Sequence, residues 1–415
     1  MLGGGQKPSE EVLLARQPIY ERDLTTWGYE ILFRDSSANA ATFGGGDRAT
    51  AEVMVRALLE IGLDSIVGVH RAFVNVTEHT LTSGFCELLP PDRVVLEVLE
   101  SVRPTAGVIE AITRLRKKHY LIALDDFEYR SELEPLLDLA HIVKVDVAAL
   151  KEDGTSQLLR QIAAHKPALL AEKVETHEEF ELYQKMGFSR FQGYFFCKPN
   201  LISGRRAPAN RLTLLRLLAR LQDPTIQTSE LESIAVQDLT LSYKLLRYIN
   251  SAFTSFSKRV ESVRHAINLV GQRMIGTWAS LILLTAVDDK PRELMITALV
   301  RAKMCELLAA TESSMASKEV AFTVGLFSAV DALLDCPLDE ALQQLPLNEE
   351  IRVALLEKKG ELGRILNCVQ TYERGEWTVL APFGFSPGVL QDAYQSSLSW
   401  TAEVLSHLSA VEDPA

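Results

Sequence analysis

The sequence predicts two domains of different class: an α/β domain built as a TIM-like (β/α) barrel, followed by an all-α domain. Apolar strand-like runs alternate with amphipathic helical stretches over residues 12 to 200, as in a parallel sheet or barrel. Polar and charged residues stand at the C-terminal ends of these strands, where a (β/α) barrel carries its chemistry. Beyond about residue 210 the strand signals nearly vanish and helical periodicity dominates.

Composition and charge narrow the functional class. The chain has 415 residues, enough for two or three domains, and its hydrophobic fraction of 47% and charged fraction of 24% are ordinary for a globular protein. Its net charge of −12 argues against a general nucleic-acid binder, which needs a basic surface. The N-terminus has no apolar signal core, and no apolar run approaches the roughly 18 residues of a membrane span. We therefore expect a cytoplasmic protein with no membrane segment and no nucleic-acid partner.

The predicted strands end in polar side chains, one strand after another. In chain order the segments are GYEILFR with Glu30, FVNVTEH with Asn75, VVLEVLES with Glu97 and Glu100, LIALDDF with Asp125 and Asp126, HIVKVDV with Lys144 and Asp146, LLAEKVE with Glu172 and Glu175, and RFQGYFF with Gln192. From Glu97 onward these positions are about one βα unit apart. A charge at the end of a buried strand needs a partner or a metal. We therefore expect the side chains to meet at one face of the barrel.

The residue types at these strand ends predict a site for a hard cation. Carboxylates and amide oxygens dominate the set, and neither His nor Cys occurs in it. The cysteines of the chain are scattered, with no CxxC pair, which argues against a zinc cluster. All-oxygen ligands suit Mg²⁺ or Mn²⁺ better than Zn²⁺ or Cu²⁺. The sequence thus predicts a magnesium or manganese site.

Paired carboxylates and nearby basic side chains point to phosphate chemistry. Asp125 and Asp126 are adjacent, so at a strand end they point to different sides, and each can serve one of two metals. Lys144 adds positive charge for a phosphate or nucleophile, and Arg34, four residues past Glu30, is placed to pair with a second phosphate. A single acid at a strand end is more often solvated or ion-paired. Six such positions in one domain are not easily a coincidence.

The N-terminal half resembles the EAL domain family of cyclic di-GMP phosphodiesterases. The matching segments are RQPI, GYEILFR, FVNVT, LEVLES, DDF, VKVD, AEKVE and QGYFFCKP, in the order in which the family has them. The resemblance covers nearly the whole of residues 12–200. It implies a modified TIM-like barrel that binds cyclic di-GMP and uses a divalent metal, Mg²⁺ or Mn²⁺, to cleave one phosphodiester, which gives linear pGpG.

The resemblance also implies roles for residues at matching positions. The implied metal ligands are Glu30, Asn75, Glu97, Asp125, Asp126 and Glu172. The implied catalytic residues are Lys144, Glu172 and Gln192. The implied substrate contacts are Gln17, Arg34 and Pro199, and Glu100 matches the glutamate that anchors the loop after the paired aspartates.

Two departures from the family pattern leave the activity open. The family loop usually reads DDFGTGYSS, whereas this chain has DDFEYRSEL without either glycine. Glycine allows backbone angles that are closed to other residues, so this loop is expected to place Asp126 differently. Lys173 stands where the family has glycine. Three functions remain open: a cyclic di-GMP phosphodiesterase, a cyclic di-GMP receptor with little turnover, and a ligand-independent scaffold.

The C-terminal half resembles the HDOD family, an HD-like helical fold without metal ligands. The segments LQDPTIQTSELESIAVQDLTLSYKLLRYINSAFTS and ESVRHAINLVGQRMI carry this resemblance. Only His265 and His407 lie in this half, and the chain has no His-Asp dipeptide, whereas a metal-dependent HD hydrolase needs several histidines. EAL followed by HDOD is a pairing of bacterial signalling proteins, the YuxH-like group. It implies a regulatory module that binds an unidentified protein partner.

These patterns predict the domain boundaries. We expect a disordered tail at 1–11, an EAL domain at 12–204, an HDOD domain at 205–400 and a C-terminal tail at 401–415. Gly204 and Pro208 mark the linker between the domains. The EAL family often dimerises through the barrel, so a homodimer is a further expectation, although the altered loop affects that contact.

Overall fold

In the computed structural model the chain folds into two compact units. The first contains the described residues up to Phe196 together with Thr371–Gln395, and the second contains Cys197–Gln370 and the residues from Ser396 onward. The structure describes residues 12–35, 58, 61–198, 217, 219–221, 223, 225–237, 245–246, 249, 260, 262–272, 275–277, 279, 290–311, 318–343, 345 and 347–412. The units differ from the boundaries expected at 204 and 400, because residues 371–395 fold with the barrel.

The described strands of the first unit close into a barrel in chain order. They are β1 (Val12–Glu21), β2 (Thr26–Asp35), β3 (Arg71–Val76), β4 (Val94–Val98), β5 (Leu121–Leu124), β6 (Ile142–Asp146), β7 (Ala168–Glu172) and β8 (Arg190–Gln192). Neighbouring strands from β2 to β8 are parallel, whereas β1 is antiparallel to both β2 and β8. The prediction of a TIM-like barrel is confirmed, with an antiparallel first strand that the predicted βα alternation did not include.

The interior of the barrel is layered, and this layering positions the polar residues. A buried apolar ring fills it, made of Ile19, Phe73, Val95, Ala123, Ile142 and Leu170. Polar residues follow two positions later along five of the same strands: Asn75, Glu97, Asp125, Lys144 and Glu172. Because successive side chains of a strand alternate between faces, residues two apart point the same way. The polar residues therefore form the next layer above the apolar ring, towards the C-terminal ends of the strands.

Helices connect the parallel strands, as the predicted alternation requires. They are α1 (Leu63–Val67), α2 (Glu78–Ser83), α3 (Ala106–Lys117), α4 (Glu134–Leu137), α5 (Val147–Ile162) and α6 (His177–Lys185), with 3₁₀ turns at Phe85–Leu88, Ser131–Leu133 and Phe195–Cys197. Helix α6 begins with a capping box, in which Thr176 accepts from the Glu179 N–H and the Glu179 side chain accepts from the Thr176 N–H. Helix α3 begins at Thr105, whose hydroxyl accepts from the Val108 N–H.

The remaining described helices belong to the C-terminal half. They are α7 (Thr228–Gln237), α8 (Val263–Val270), α9 (Arg292–Thr311), α10 (Lys318–Phe327), α11 (Val330–Leu334), α12 (Leu338–Gln343), α13 (Glu349–Glu357), α14 (Gly360–Glu373) and α15 (Pro387–Glu412). No strand occurs among the described residues of this half, which confirms the all-helical prediction. Helix α15 runs to Glu412, so most of the residues expected as a tail at 401–415 are helical. None of the described helices combines the length and apolarity needed to cross a membrane.

Candidate active site

The polar residues at the strand ends meet at one end of the barrel. The strands carry Glu30 on β2, Asn75 on β3, Glu97 on β4, Lys144 on β6, Glu172 on β7 and Gln192 on β8, and Asp125 directly follows β5. Cross-strand register places Asn75 beside Glu97 and Gln17 beside Glu30. Sequence reasoning expected these side chains on one face of the barrel, and the structure brings them together there.

Lys144 lies at the centre of this group. Its Nζ is 2.7 Å from Glu172 Oε1, 3.0 Å from Asp125 Oδ1 and 3.3 Å from Glu30 Oε2, and it also donates to Glu97 Oε1. The side chain of Lys144 is 1% exposed and that of Glu97 is fully buried. One ammonium thus faces four carboxylates in a nearly water-free environment, an arrangement that is costly unless more positive charge is supplied.

This charge imbalance appears in the pKa values. Burial raises the pKa of Glu97 well above its ordinary value, and the neighbouring Glu30 carboxylate raises it further. Burial likewise raises the pKa of Glu172 to about 8, although Lys144 opposes the shift. Burial alone would lower the pKa of Lys144, but the surrounding carboxylates outweigh it and raise that pKa well above the ordinary value. Burial would also raise the pKa of Asp125, yet the Lys144 ammonium lowers it.

The donor set fits a hard cation. Four buried oxygens of the site have no hydrogen-bond donor in the described part of the chain: Asn75 Oδ1, Glu97 Oε2, Glu172 Oε2 and Gln192 Oε1. Unpaired buried acceptors are costly, and a cation would satisfy them. Ligand oxygens of Glu30, Glu97 and Glu172 lie within 4.8 Å of one another, and so do those of Asp125, Asp126 and Glu172. Two overlapping clusters of oxygen ligands, which share Glu172, suit Mg²⁺ or Mn²⁺.

Asp126 stands at the edge of the second cluster, beside Lys173. The Lys173 Nζ lies 3.7 Å from Asp126 Oδ1 and 2.5 Å from Asp146 Oδ2. Burial raises the pKa of Asp126, and the adjacent Asp125 raises it further. Asp126 and Lys173 both have positive φ, of 39° and 58°, which non-glycine residues seldom adopt. The backbone therefore turns sharply after β5 and β7, and the two turns bring an ammonium to an expected metal ligand.

The altered loop after the paired aspartates is anchored by its aromatic residues. Phe127 is buried, and its N–H donates to the Lys144 carbonyl at 3.1 Å. Tyr129 donates to Glu134 Oε1 at 2.7 Å. These contacts hold the segment without the two glycines of the family pattern, and Asp126 stays within the carboxylate cluster. Glu100 is exposed, and no hydrogen bond joins it to the loop among the described residues, so its anchoring role stays a prediction.

The expected substrate residues lie in three different settings. Gln17 is on β1, where its Oε1 accepts from Gln192 Nε2 at 2.8 Å and its Nε2 donates to the Tyr194 hydroxyl at 3.3 Å. Arg34 is half-buried on β2, four residues after Glu30. Pro199 lies outside the described residues. The roles of all three remain predictions.

Two residues that follow Gln192 belong to the site, although sequence reasoning gave them no role. Gly193 has φ +150°, and a Cβ there would lie 2.0 Å from the Val174 carbonyl oxygen. Only glycine fits this approach between the loops after β7 and β8. Tyr194 bonds to Gln17. The glycine between Gln192 and Tyr194 was the available sequence signal, because a glycine directly after a strand often marks a close backbone contact.

Two family descriptions match this chain. The EAL domain matches residues 47–199 and the HDOD domain matches residues 208–354. Strands β1 and β2, with Gln17 and Glu30, precede the first range but are part of the same barrel. Residues 371–395 lie outside both ranges. The helical half thus matches the family that the sequence indicated.

Two proteins resemble this chain over most of its length. The cyclic di-GMP phosphodiesterase CdgJ of Vibrio cholerae is 35% identical over 380 residues, which cover 90% of this chain and 88% of CdgJ. The protein YuxH of Bacillus subtilis is 31% identical over 400 residues, which cover 94% of this chain and 98% of YuxH. Among solved structures, BlrP1 of Klebsiella pneumoniae with manganese and cyclic di-GMP is 23% identical, with a TM-score of 0.37, over 46% of this chain and 57% of BlrP1.

Proposed function

We propose that this chain, which belongs to the family of proteins that join an EAL domain to a C-terminal HDOD domain, is a metal-dependent cyclic di-GMP phosphodiesterase. The observation that carries the proposal is the pocket in which one buried ammonium faces four carboxylates and in which four buried oxygens lack a donor. A purely structural ion-pair network would leave fewer acceptors unsatisfied. The relationship to CdgJ, which carries that activity in its name, supports the same substrate.

The residues of the pocket divide into ligands and a charge-balancing lysine. Glu30, Asn75, Glu97, Asp125 and Glu172 would hold Mg²⁺ or Mn²⁺, with Asp126 at the edge. The cation would act as a Lewis acid that activates a water and neutralises phosphate charge. Lys144 holds the four carboxyl groups together, because its ammonium contacts all of them, and it lowers the pKa of Asp125. Gln192 donates to Glu30 Oε2 at 2.7 Å, which fixes the direction of that carboxylate.

The proposed reaction is the hydrolysis of one phosphodiester of cyclic di-GMP. The oxygen of water forms a bond to phosphorus, and the bond from phosphorus to the 3′ oxygen breaks. The 3′ oxygen takes a proton, and the new terminal phosphate stays on the 5′ oxygen of linear pGpG. Gln17, Arg34 and Pro199 are the proposed substrate contacts, since Gln17 lies beside Glu30 and Arg34 is on the same strand as Glu30.

The helical half is proposed to be the regulatory part of a signalling protein. Its described residues contain no cluster of three His, Cys, Asp or Glu side chains placed to hold a metal. A partner protein would bind there and change the activity of the barrel. Cytoplasmic location and a homodimer through the barrel belong to the same proposal. Size-exclusion chromatography with light scattering tests the dimer.

Product formation tests the proposed activity directly. The 415-residue chain is incubated with cyclic di-GMP and Mn²⁺ or Mg²⁺, and pGpG is measured by chromatography. We expect turnover that EDTA abolishes, and a loss of about a hundredfold or more in Glu30→Ala, because the variant lacks a cation ligand. Glu110→Ala is the matched control, since Glu110 is an exposed residue of helix α3.

The absence of pGpG from the wild type, under conditions in which an active EAL protein makes it, would contradict the proposed catalysis. Calorimetry with Ca²⁺ in place of Mg²⁺ then measures binding of cyclic di-GMP without turnover. Binding that Arg34→Ala removes would identify a receptor. No binding at all would leave the scaffold function.

A further inference from the structure

The outer edge of strand β1 is only partly covered by another strand. β1 pairs with β2 from Val12 to Tyr20, but with β8 only from Ile19 to Glu21. On the side facing away from β2, the first part of β1 therefore has backbone groups without a strand partner among the described residues. A buried sheet edge needs other hydrogen-bond partners.

Residues 371–395 supply these partners, and they do so with side chains. The Leu14 N–H donates to Gln391 Oε1 at 2.8 Å, and the Leu14 carbonyl accepts from the Tyr372 hydroxyl at 2.9 Å. The Arg16 N–H donates to the Tyr394 hydroxyl at 3.3 Å. Gln391 and Tyr372 are buried. We call residues 371–395 the edge segment. It closes the part of the barrel that β8 does not reach.

The edge segment also reaches the polar pocket through Tyr194. The Tyr194 hydroxyl donates to the Glu373 carbonyl at 3.2 Å and accepts from Gln17 Nε2 at 3.3 Å. Gln17 Oε1 accepts from Gln192 Nε2 at 2.8 Å, and Gln192 Nε2 also donates to Glu30 Oε2 at 2.7 Å. A continuous chain of hydrogen bonds thus runs from the backbone of Glu373 to a carboxylate of the site.

The chemistry of the two ends fixes the direction of every bond in this chain. A backbone carbonyl only accepts, so the Tyr194 hydroxyl gives its single proton to Glu373. The Tyr194 oxygen then accepts from Gln17, which turns the amide NH₂ of Gln17 towards Tyr194 and its carbonyl oxygen towards Gln192. From the other end, the Glu30 carboxylate fixes the NH₂ of Gln192, and the Glu373 carbonyl holds the Tyr194 oxygen in place as the acceptor for the NH₂ of Gln17.

We propose that Tyr194 is a positioning residue, through which the edge segment holds the Gln17 amide in place for substrate. This inference rests on the proposed function, in which Gln17 contacts cyclic di-GMP. It adds a part of the chain that lies outside both matched domains. Helix α14 ends at Glu373, and its residues up to Gln370 belong to the helical unit. A displacement of the end of this helix would therefore change substrate binding through Tyr194.

The test compares Tyr194→Phe with a matched control in the 415-residue chain. The variant keeps the ring and loses one hydroxyl, so we expect the KM for cyclic di-GMP to rise about fivefold, as for the loss of one hydrogen bond. We expect kcat and the Mn²⁺ affinity measured by calorimetry to stay within about twofold, because no proposed cation ligand changes. Tyr183→Phe is the control, since the Tyr183 hydroxyl donates to the Val147 carbonyl at 3.3 Å, away from Gln17.

A double-mutant cycle separates positioning from general stabilisation. Gln391→Leu removes the acceptor of the Leu14 N–H and loosens the edge segment, so it should also raise KM. If the edge segment acts through Tyr194, the double variant has the KM of Tyr194→Phe alone. Additive effects, or a Tyr194→Phe variant that matches the Tyr183→Phe control, would overturn the inference.

The same experiment distinguishes this inference from the proposed function. If the wild type gives no pGpG, the Kd for cyclic di-GMP with Ca²⁺ replaces KM as the readout, and the same fivefold weakening is expected. Unchanged binding in Tyr194→Phe then overturns the inference alone. A wild type that neither cleaves nor binds cyclic di-GMP overturns the proposed function. It also overturns the inference, which assumes that Gln17 contacts this substrate.

Discussion

The ammonium of Lys173 lies 3.7 Å from the carboxylate of Asp126, so a positive charge stands beside an expected metal ligand. Lys173 also lies 2.5 Å from Oδ2 of Asp146, the last residue of β6, and thus links that strand to the loop after the neighbouring strand β7. Its side chain is half exposed, which weakens its field but leaves it next to the second oxygen cluster. A cation bound by Asp126 would thus compete with Lys173 for its carboxylate.

Replacing Lys173 by glycine should strengthen the binding of a second cation. The change removes a charge beside Asp126 and relieves the positive φ of Lys173, so Mn²⁺ affinity at the weaker site should rise by about tenfold. Calorimetric titration with Mn²⁺ measures both sites. Lys166→Gly is the matched control, because Lys166 is an exposed lysine with φ +52° that precedes the same strand β7. Equal Mn²⁺ isotherms for the two variants would contradict this role of Lys173.

Replacing Lys144 by methionine should make the fold depend on a divalent cation. The variant leaves four carboxylates without their ammonium, and in EDTA we expect the free energy of unfolding to fall by about 3–5 kcal/mol. Mn²⁺ should recover much of this loss, and denaturant melts with and without the metal measure it.

Lys118→Met is the control for a lysine that pairs at the surface. Lys118 is 52% exposed and lies 2.5 Å from Glu87, so its removal should cost about 1 kcal/mol or less. If Lys144→Met is as stable in EDTA as Lys118→Met, then Lys144 does not stabilise the fold by balancing the four carboxylates.

Without metal, the protein should lose stability as the pH rises from about 5 to about 8. Glu172 has a folded pKa of about 8, above the 4.5 of an ordinary glutamate, and the pKa of Glu97 is raised as well. A raised folded pKa means that the folded state binds the proton more tightly. Its stabilising effect is present below the unfolded pKa and is lost as the pH rises through the folded pKa.

Thermal melts in EDTA at several pH values measure this dependence. Glu172→Gln should flatten the slope between pH 5 and 8, since the amide does not titrate, whereas the exposed Glu110→Gln should leave it unchanged. Mn²⁺ should flatten the slope of the wild type, because a cation favours the ionised carboxylates. Identical slopes for wild type and Glu172→Gln in EDTA would show that Glu172 is not the titrating group.

Alanine at Gly193 should disrupt the site as well as the fold. Its Cβ would lie 2.0 Å from the Val174 carbonyl oxygen at a φ of +150°, so the loops must separate, and we expect a loss of roughly 3 kcal/mol or more. We also expect pGpG formation to fall under conditions in which the variant is still folded, because Gln192 directly precedes this glycine. Gly187→Ala is the control: its φ is +104°, no atom lies within 4 Å of an added Cβ, and it should cost about 1–2 kcal/mol. Chemical denaturation and pGpG formation together test the comparison.

Much of the barrel and of its polar pocket could be predicted because the signals are local. Strand periodicity puts residues two apart on one face, and a charge at the end of a buried strand needs a partner. Glu97, Lys144 and Glu172 each lie in the C-terminal part of such a strand, and the structure joins them in one cluster. The all-helical class of the C-terminal half could also be predicted from local signals, because its periodicity runs within each helix.

The relations that escaped prediction join distant parts of the chain. Leu14 bonds to Gln391 across 377 positions, and no pattern within β1 indicates that a segment beyond the helical half covers its edge. Lys173 was visible as a departure from the family, but its contact with Asp126 depends on two backbone turns with positive φ. Asp126 stays within the carboxylate cluster despite the altered loop, because Phe127 and Tyr129 hold that segment.

By itself, the sequence determined the two fold classes, the succession of strands from β2 to β8 and the chemical character of the pocket, because strand alternation and strand-end residues are encoded within a few positions. Only the tertiary structure decided that one lysine balances four carboxylates, that Lys173 stands beside Asp126, and that residues 371–395 complete the barrel. These are properties of groups that meet in space after folding. The energies of these contacts depend on burial and on the distance between charges, and neither can be read from a local segment of the sequence.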